Sequence, residues 1–178
     1  NTISDLTALS SMTQLQELNI SNNNITTITY LNNFLALKTL SMESCGVSKL
    51  SALAGNTSLE ELYAANNEIE DISVLSDCTA LRVIDVSSNQ VSDISLLPGL
   101  PELVNFKANN NKITAIPKFD AETSKLVQFS ANYNEITDVS GLAGLTALNY
   151  VRVDYNKVTD VYCLKDNWCL IQIDAWDN

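Results

Sequence analysis

Four cysteines, a recurring aspartate and a recurring asparagine are the side chains of this sequence whose types could do chemistry. Cys163 and Cys169 lie six apart near the end, a spacing that fits a disulfide closing the last arc. Spacing alone leaves both pairing and free thiols open, and a pair without further ligands makes no zinc site. Cys45 and Cys78 fall where other segments place asparagine or an apolar residue (Met12, Phe34, Leu100 and Leu145), which reads as buried thiols. Asp5, Asp71, Asp93, Asp138 and Asp160 share one turn position. Carboxylates spread singly in this way are expected to hydrogen-bond local backbone rather than bind calcium, since no calcium-loop spacing is present. Histidine is absent, which removes His-based triads, His general bases and most zinc sites. No glycine-rich phosphate loop and no nucleophile elbow is visible. The expectation is a non-enzymatic chain with no metal and no cofactor. Asn19, Asn24 and Asn56 open N-x-[ST] sequons, which matter in a eukaryotic secretory pathway.

Charge narrows the partners. Ten basic residues stand against 21 acidic ones, a net charge of -11 over 178 residues. That field repels nucleic acid and anionic membrane surfaces. No apolar run is long enough to span a bilayer. The chain opens at Asn1 rather than methionine, so it reads as a trimmed or mature fragment whose signal peptide lies outside it. With 46% hydrophobic residues, the composition is that of a folded protein.

The elements that must position these residues come from a repeat. From Leu15, "LQELNISNNNITTI" reads L-x-x-L-x-I-x-x-N-x-I-x-x-I, and the pattern restarts at Leu37, Leu59, Leu81, Leu103, Leu126, Leu148 and Leu170. The period is 22, with one step of 23 between Leu103 and Leu126. "NTISDL" at the start is the tail of an earlier unit, and both ends fall within a repeat. The first three template positions occur 24 times and are apolar every time. Chance would fill only about eleven of them, so the periodicity decides the organisation.

Each unit is too short to bury its apolar face alone, and stacking solves that. The alternating L-x-L segment predicts a short strand. Successive strands then run parallel and in register. Leu31, Leu53, Leu75, Leu97, Phe119, Leu142 and Leu164 are expected to plug the far side from the returning arcs. Those arcs have room for 3₁₀ turns or extended pieces. Phe106 and Phe129 each precede an alanine, Ala108 and Ala131, which keeps core volume constant. The extra residue falls in "PKFDAETSK", residues 117–125, and Pro98, Pro101 and Pro117 also lie on arcs.

One residue per unit follows the strand at the bend: Asn23, Cys45, Asn67, Asn89, Asn111, Asn134, Asn156 and Asn178. A carboxamide there can satisfy backbone groups of its own and adjacent turns, so this set reads as a structural ladder. Within "SNNNI", Asn24 should face solvent, and Asn22 should sit at the lip that Tyr133 and Tyr155 occupy later.

The pattern resembles the leucine-rich repeat family over essentially the whole chain. The 22-residue unit with "DI" after the asparagine resembles bacterial internalin-type proteins, and more distantly the SDS22-like intracellular regulators. The resemblance implies a right-handed α/β-repeat solenoid, one domain over residues 1–178, with a concave parallel sheet and convex 3₁₀ or extended arcs. It also implies a protein ligand on the concave face and a bacterial surface or secreted location. An SDS22-like regulatory subunit that binds an enzyme and a structural spacer of a larger surface protein are the alternatives. The departures are Cys45 for asparagine, and Thr27, Lys49 and Ala115 for aspartate.

Eight units at about 4.8 Å per strand span roughly 35–40 Å, which suits a protein or extended polymer. The outward strand positions concentrate Tyr, Trp and Arg at the C-terminal end, the residue types that dominate interface energetics. The expected contact residues there are Tyr133, Tyr150, Arg152, Asp154, Tyr155, Asp174 and Trp176, with Tyr63 isolated further back. Trp176 has a competing role as a cover for the last turn.

Overall fold

A computed structural model of the chain describes residues 3–178; Asn1, in the tail of the earlier unit, lies outside them. Among the described residues the strands are β1 (Glu17–Asn19), β2 (Thr39–Ser41), β3 (Glu61–Tyr63), β4 (Val83–Asp85), β5 (Asn105–Lys107), β6 (Gln128–Ser130), β7 (Tyr150–Arg152) and β8 (Gln172–Asp174). They form one parallel sheet in chain order. The register follows the repeat: Leu62 lies beside Ile84, and Ile84 beside Phe106. The extra residue does not disturb it, because Phe106 pairs with Phe129 directly. The insertion is absorbed on the arc, where no ladder bond constrains chain length.

The arcs return through short 3₁₀ helices, among them Thr29–Asn33, Ser51–Leu53, Ser73–Asp77, Leu97–Gly99, Ser140–Leu142 and Tyr162–Asp166. All seven predicted arc plugs, from Leu31 to Leu164, are buried. Phe106 and Phe129 are fully buried with ring centroids 5.6 Å apart, and Ala108 and Ala131 fit beside them. The position of Cys78 is not buried in every turn. Cys78 and Phe34 are buried, but Met12 is 49% exposed, because no described turn covers the outer side of the first arc.

The arc at residues 117–125 carries the inserted residue and has no 3₁₀ helix. It runs hard against the next turn, where Phe119 N–H donates to the Gly141 carbonyl at 3.0 Å. A side chain at Gly141 would place its Cβ 2.5 Å from the Pro117 oxygen and 2.6 Å from the Ile116 oxygen. Glycine is required there by close backbone approach.

The asparagine ladder has one repeated geometry. Asn89 Nδ2 donates to the carbonyls of Ala64 (2.9 Å), Val86 (3.0 Å) and Ser87 (3.2 Å), while its Oδ1 accepts from Ile69 N–H at 2.9 Å. Asn67, Asn134 and Asn156 do the same one turn before or further along. Neighbouring rungs share acceptors: the Ala131 carbonyl takes both Asn134 and Asn156. Cys45 fills the slot only in part. Its thiol donates to the Ile20 carbonyl at 3.1 Å, but sulfur offers Ile25 N–H no oxygen of the kind Asn67 gives Val47. Asn24 is exposed, as expected.

A second carboxamide site lies on the arcs. Asn56 is 1% exposed and donates to the Phe34 carbonyl at 3.0 Å, and Asn167 donates to Leu142 at 2.8 Å. Asn56 therefore cannot serve as a glycosylation acceptor, and that sequon is structural. The period places it in register with Cys78, so the repeat carried the signal.

Candidate binding face

The outward residues of the strands line one face in rows, because side chains alternate across a strand and register holds from turn to turn. The candidate residues do not share one role there. Tyr63 is half-buried and its hydroxyl donates to Glu61 Oε2 at 3.1 Å. Partial burial, then Glu61 and the carboxylates of Asp85 and Glu43, push its phenol above the ordinary value. Tyr150 and Arg152 stand on β7, and Arg152 Nε approaches Asp174 Oδ2 at 3.3 Å. Gln172 Nε2 donates to the same carboxylate at 2.7 Å. Asp174 thus orients Arg152 and has its charge partly compensated.

Asp154 is not an exposed contact residue. It is 7% exposed, and its carboxylate accepts from Trp176 N–H at 3.0 Å. Asn132 Oδ1 accepts from Asp154 N–H in the same way, and Asn109 Oδ1 from Asn132 N–H. Ser21 and Ser87 hydroxyls accept from Glu43 and Asn109 N–H. A second side-chain ladder therefore fastens strand ends across turns. Its residue types vary from turn to turn, since any oxygen acceptor will do, and that variety hides it in the sequence.

Tyr133, Tyr155 and Trp176 are brought together at the lip. Tyr133 and Tyr155 stack with ring centroids 4.2 Å apart, and Trp176 meets Tyr155 edge-on at 4.6 Å. Tyr133 is 53% exposed and Trp176 61%. Partial desolvation and the neighbouring Tyr133 hydroxyl raise the Tyr155 phenol above its ordinary value. The two tyrosines occupy a position with left-handed backbone in every described turn: Asn22, Ser44, Asn66, Ser88, Asn110, Tyr133, Tyr155 and Asp177, with φ of 53° to 59°. Small polar residues tolerate that conformation, whereas a bulky side chain in it is strained by about 1–2 kcal/mol. The recurrence of asparagine, serine and aspartate at this position was a readable signal, and the tyrosines stand out against it.

The repeated aspartates act on the arcs, away from this face. Asp71, Asp93, Asp138 and Asp160 each accept from the N–H two residues on, at 2.7–2.8 Å, opening the turn into the arc. Asp5 does the same for Thr7. Hydrogen bonds from Ser73 and Ser95 backbone hold Asp71 and Asp93 below the usual carboxylate range, and the Ser140 hydroxyl does so first for Asp138. All four cysteines are free thiols: Cys45 and Cys78 buried, Cys163 half-buried and Cys169 exposed. Desolvation pushes the Cys78 thiol up to about 11. Among the described residues no cluster of His, Cys, Asp and Glu is placed to hold a metal ion, and no helix is long and apolar enough to cross a membrane.

A family model described as leucine-rich repeats (2 copies) matches residues 13–55 and 57–99. Among solved structures, an internalin from Listeria monocytogenes superposes with a TM-score of 0.75 at 27% identity, over 98% of this chain and 58% of its own. Internalin C2 from the same organism gives 0.71 at 28% identity, over 97% and 66%. A leucine-rich repeat protein of Leptospira interrogans gives 0.88 at 18% identity, over 98% and 46%, a likeness of fold. The chain thus spans about half to two thirds of the length of these relatives. No protein with a curated description matches it in sequence. The chain has the leucine-rich repeat fold, with the same open parallel sheet as these structures and 3₁₀ arcs. Proteins of this architecture use their extended face for binding other proteins.

Proposed function

We propose that the chain is a non-enzymatic recognition module of one domain that binds a protein ligand across the open face of its sheet. The observation that carries this reading is the pair of tyrosines in left-handed backbone. Six turns place small polar residues there, which supports the fold at less strain. Aromatic rings held at a strained lip, half in solvent, with Tyr155 on the turn that follows Tyr150 and Arg152 of β7, fit a contact surface better than a packing need. Similarity to two Listeria internalins supports a place on the bacterial surface or in a secreted protein. The four free thiols favour a second reading, an intracellular subunit that clasps an enzyme, because structural disulfides persist mainly in oxidising compartments.

The test is to pan a displayed random-peptide library on the immobilised chain. Binders are then compared on Tyr133→Asn/Tyr155→Asn, Tyr150→Ala and Arg152→Ala. Dominant binders should lose affinity on these variants while circular dichroism is unchanged. Binders that hold all three variants as well as the wild type place recognition elsewhere and refute the reading.

A further inference from the structure

The open face is divided. On β1 to β4 and their lip, the outward positions carry Glu17, Glu43, Glu61 and Asp85 and no lysine or arginine. Lys38 and Arg82 stand one residue ahead of their strands, Lys38 is taken by Glu60 at 3.1 Å, and Lys107 lies in register beside Asp85 on β5. Among the described residues none of those four carboxylates is in an ion pair. On β5 to β8 the charges change: Lys107 and Arg152 appear, Asp174 is tied to Arg152, and Asp154 is buried in the strand-end ladder. There the aromatic row takes over. One half of the sheet is therefore net negative around Tyr63, with Asp85 held by Ser87 N–H at 3.0 Å at its border with Lys107, and the other is an aromatic ridge.

From this division we infer that the ligand is an extended basic polypeptide, laid across the strands with its cationic side chains over β1 to β4 and an apolar or aromatic anchor against Tyr133, Tyr155 and Trp176. The inference rests on the recognition reading above and names its partner class. Charge complementarity selects the occupant. Four carboxylates in adjacent turns reinforce one another's field, and the chain's net charge of -11 adds a long-range attraction for cations. Tyr63 sits among them with its hydroxyl held by Glu61, so its ring is fixed beneath any guanidinium or ammonium that enters. Neutral or acidic partners would leave these carboxylates facing apolar or like-charged surface. The aromatic ridge then fixes polarity, since only one end of the ligand can meet it. Seven strand steps at about 4.8 Å, matched by an extended chain at about 3.3 Å per residue, call for a segment of roughly ten residues or more.

The experiment uses two fluorescent peptides of about twelve residues, the length set by that span. One has a lysine-rich half followed by a tryptophan- and leucine-containing half; the other is identical with glutamate for lysine. Fluorescence anisotropy is measured on the wild type, on the triple variant Glu43→Gln/Glu61→Gln/Asp85→Asn, and on Tyr133→Asn/Tyr155→Asn, at low and high salt. The basic peptide should bind at least about tenfold more tightly than the acidic one, and salt should weaken it. The carboxamide variant should abolish that preference and flatten the salt dependence. The tyrosine variant should weaken binding with the salt dependence kept. Equal binding of both peptides, no binding of either, or an unaffected carboxamide variant overturns the inference. Panned binders that need the tyrosines but not the carboxylates would leave the recognition reading standing while this one falls.

Discussion

Removal of one ladder rung has a magnitude that the structure sets. In Asn89→Ala, three donations and one acceptance vanish at once. The carbonyls are not all orphaned. Ala64 keeps Asn67 at 3.0 Å, Val86 keeps Asn111 at 3.0 Å, and Ser87 keeps Asn66 N–H at 2.9 Å. Ile69 N–H is different. It loses Oδ1 of Asn89, its one acceptor here, and Ile69 is fully buried. An orphaned buried donor costs about 1–3 kcal/mol, and the weakened carbonyls keep the expectation near the middle, about 2 kcal/mol. At this chain length that corresponds to about 4–8 °C in Tm. Differential scanning calorimetry measures it, with urea midpoints at unchanged slope confirming that the native state is what changed. Asn89→Asp should be worse than alanine, because it keeps the acceptor but points a carboxylate at three carbonyl oxygens. A Tm within about 1 °C of wild type for Asn89→Ala would show that water replaces the rung freely and would refute the ladder as a stabilising device.

Cys45→Asn should raise stability by about 1 kcal/mol, since it supplies Ile25 N–H with the oxygen that sulfur lacks, and a lower Tm would contradict the slot's equivalence. Gly141→Ala should destabilise by about 2 kcal/mol or more, because its Cβ would meet backbone rather than a movable side chain; a neutral urea midpoint would show that the arc at residues 117–125 simply swings away. The arc aspartates predict acid sensitivity. Their folded-state values lie below the unfolded ones, so their contribution is full above the unfolded value and is lost as pH falls from about 5 through the folded values. Urea midpoints should therefore fall on acidification, and less so in Asp71→Asn/Asp93→Asn/Asp138→Asn. In native labelling with iodoacetamide at mildly alkaline pH, Cys169 should react first and Cys78 last, because Cys78 is buried with its thiol raised to about 11; early loss of Cys78 would mean its arc opens.

Most of the fold was legible because a repeat states the same physical requirement in each of its turns. Apolar residues at fixed spacing, a carboxamide at the bend and prolines on arcs each specify local structure, and recurrence removes the ambiguity that a single short unit leaves. The candidate site was legible only as composition. Tyr133, Tyr155 and Trp176 were readable as a cluster, yet Asp154 looked identical in kind and is buried. Asn56 looked like a sequon and is core.

What the sequence by itself determined is the period, the register of the strands and which residues face inward, because those follow from side-chain alternation and from the need of each short unit to bury its apolar face on its neighbours. What only the tertiary structure decided is which outward side chains are already spoken for. Hydrogen bonds between residues 22 apart in the chain take Asp154 and Asn132 into a strand-end ladder, and the left-handed lip turns Tyr133 and Tyr155 into a stack. Those outcomes depend on distances between turns and on backbone angles, which one residue's type and position do not carry.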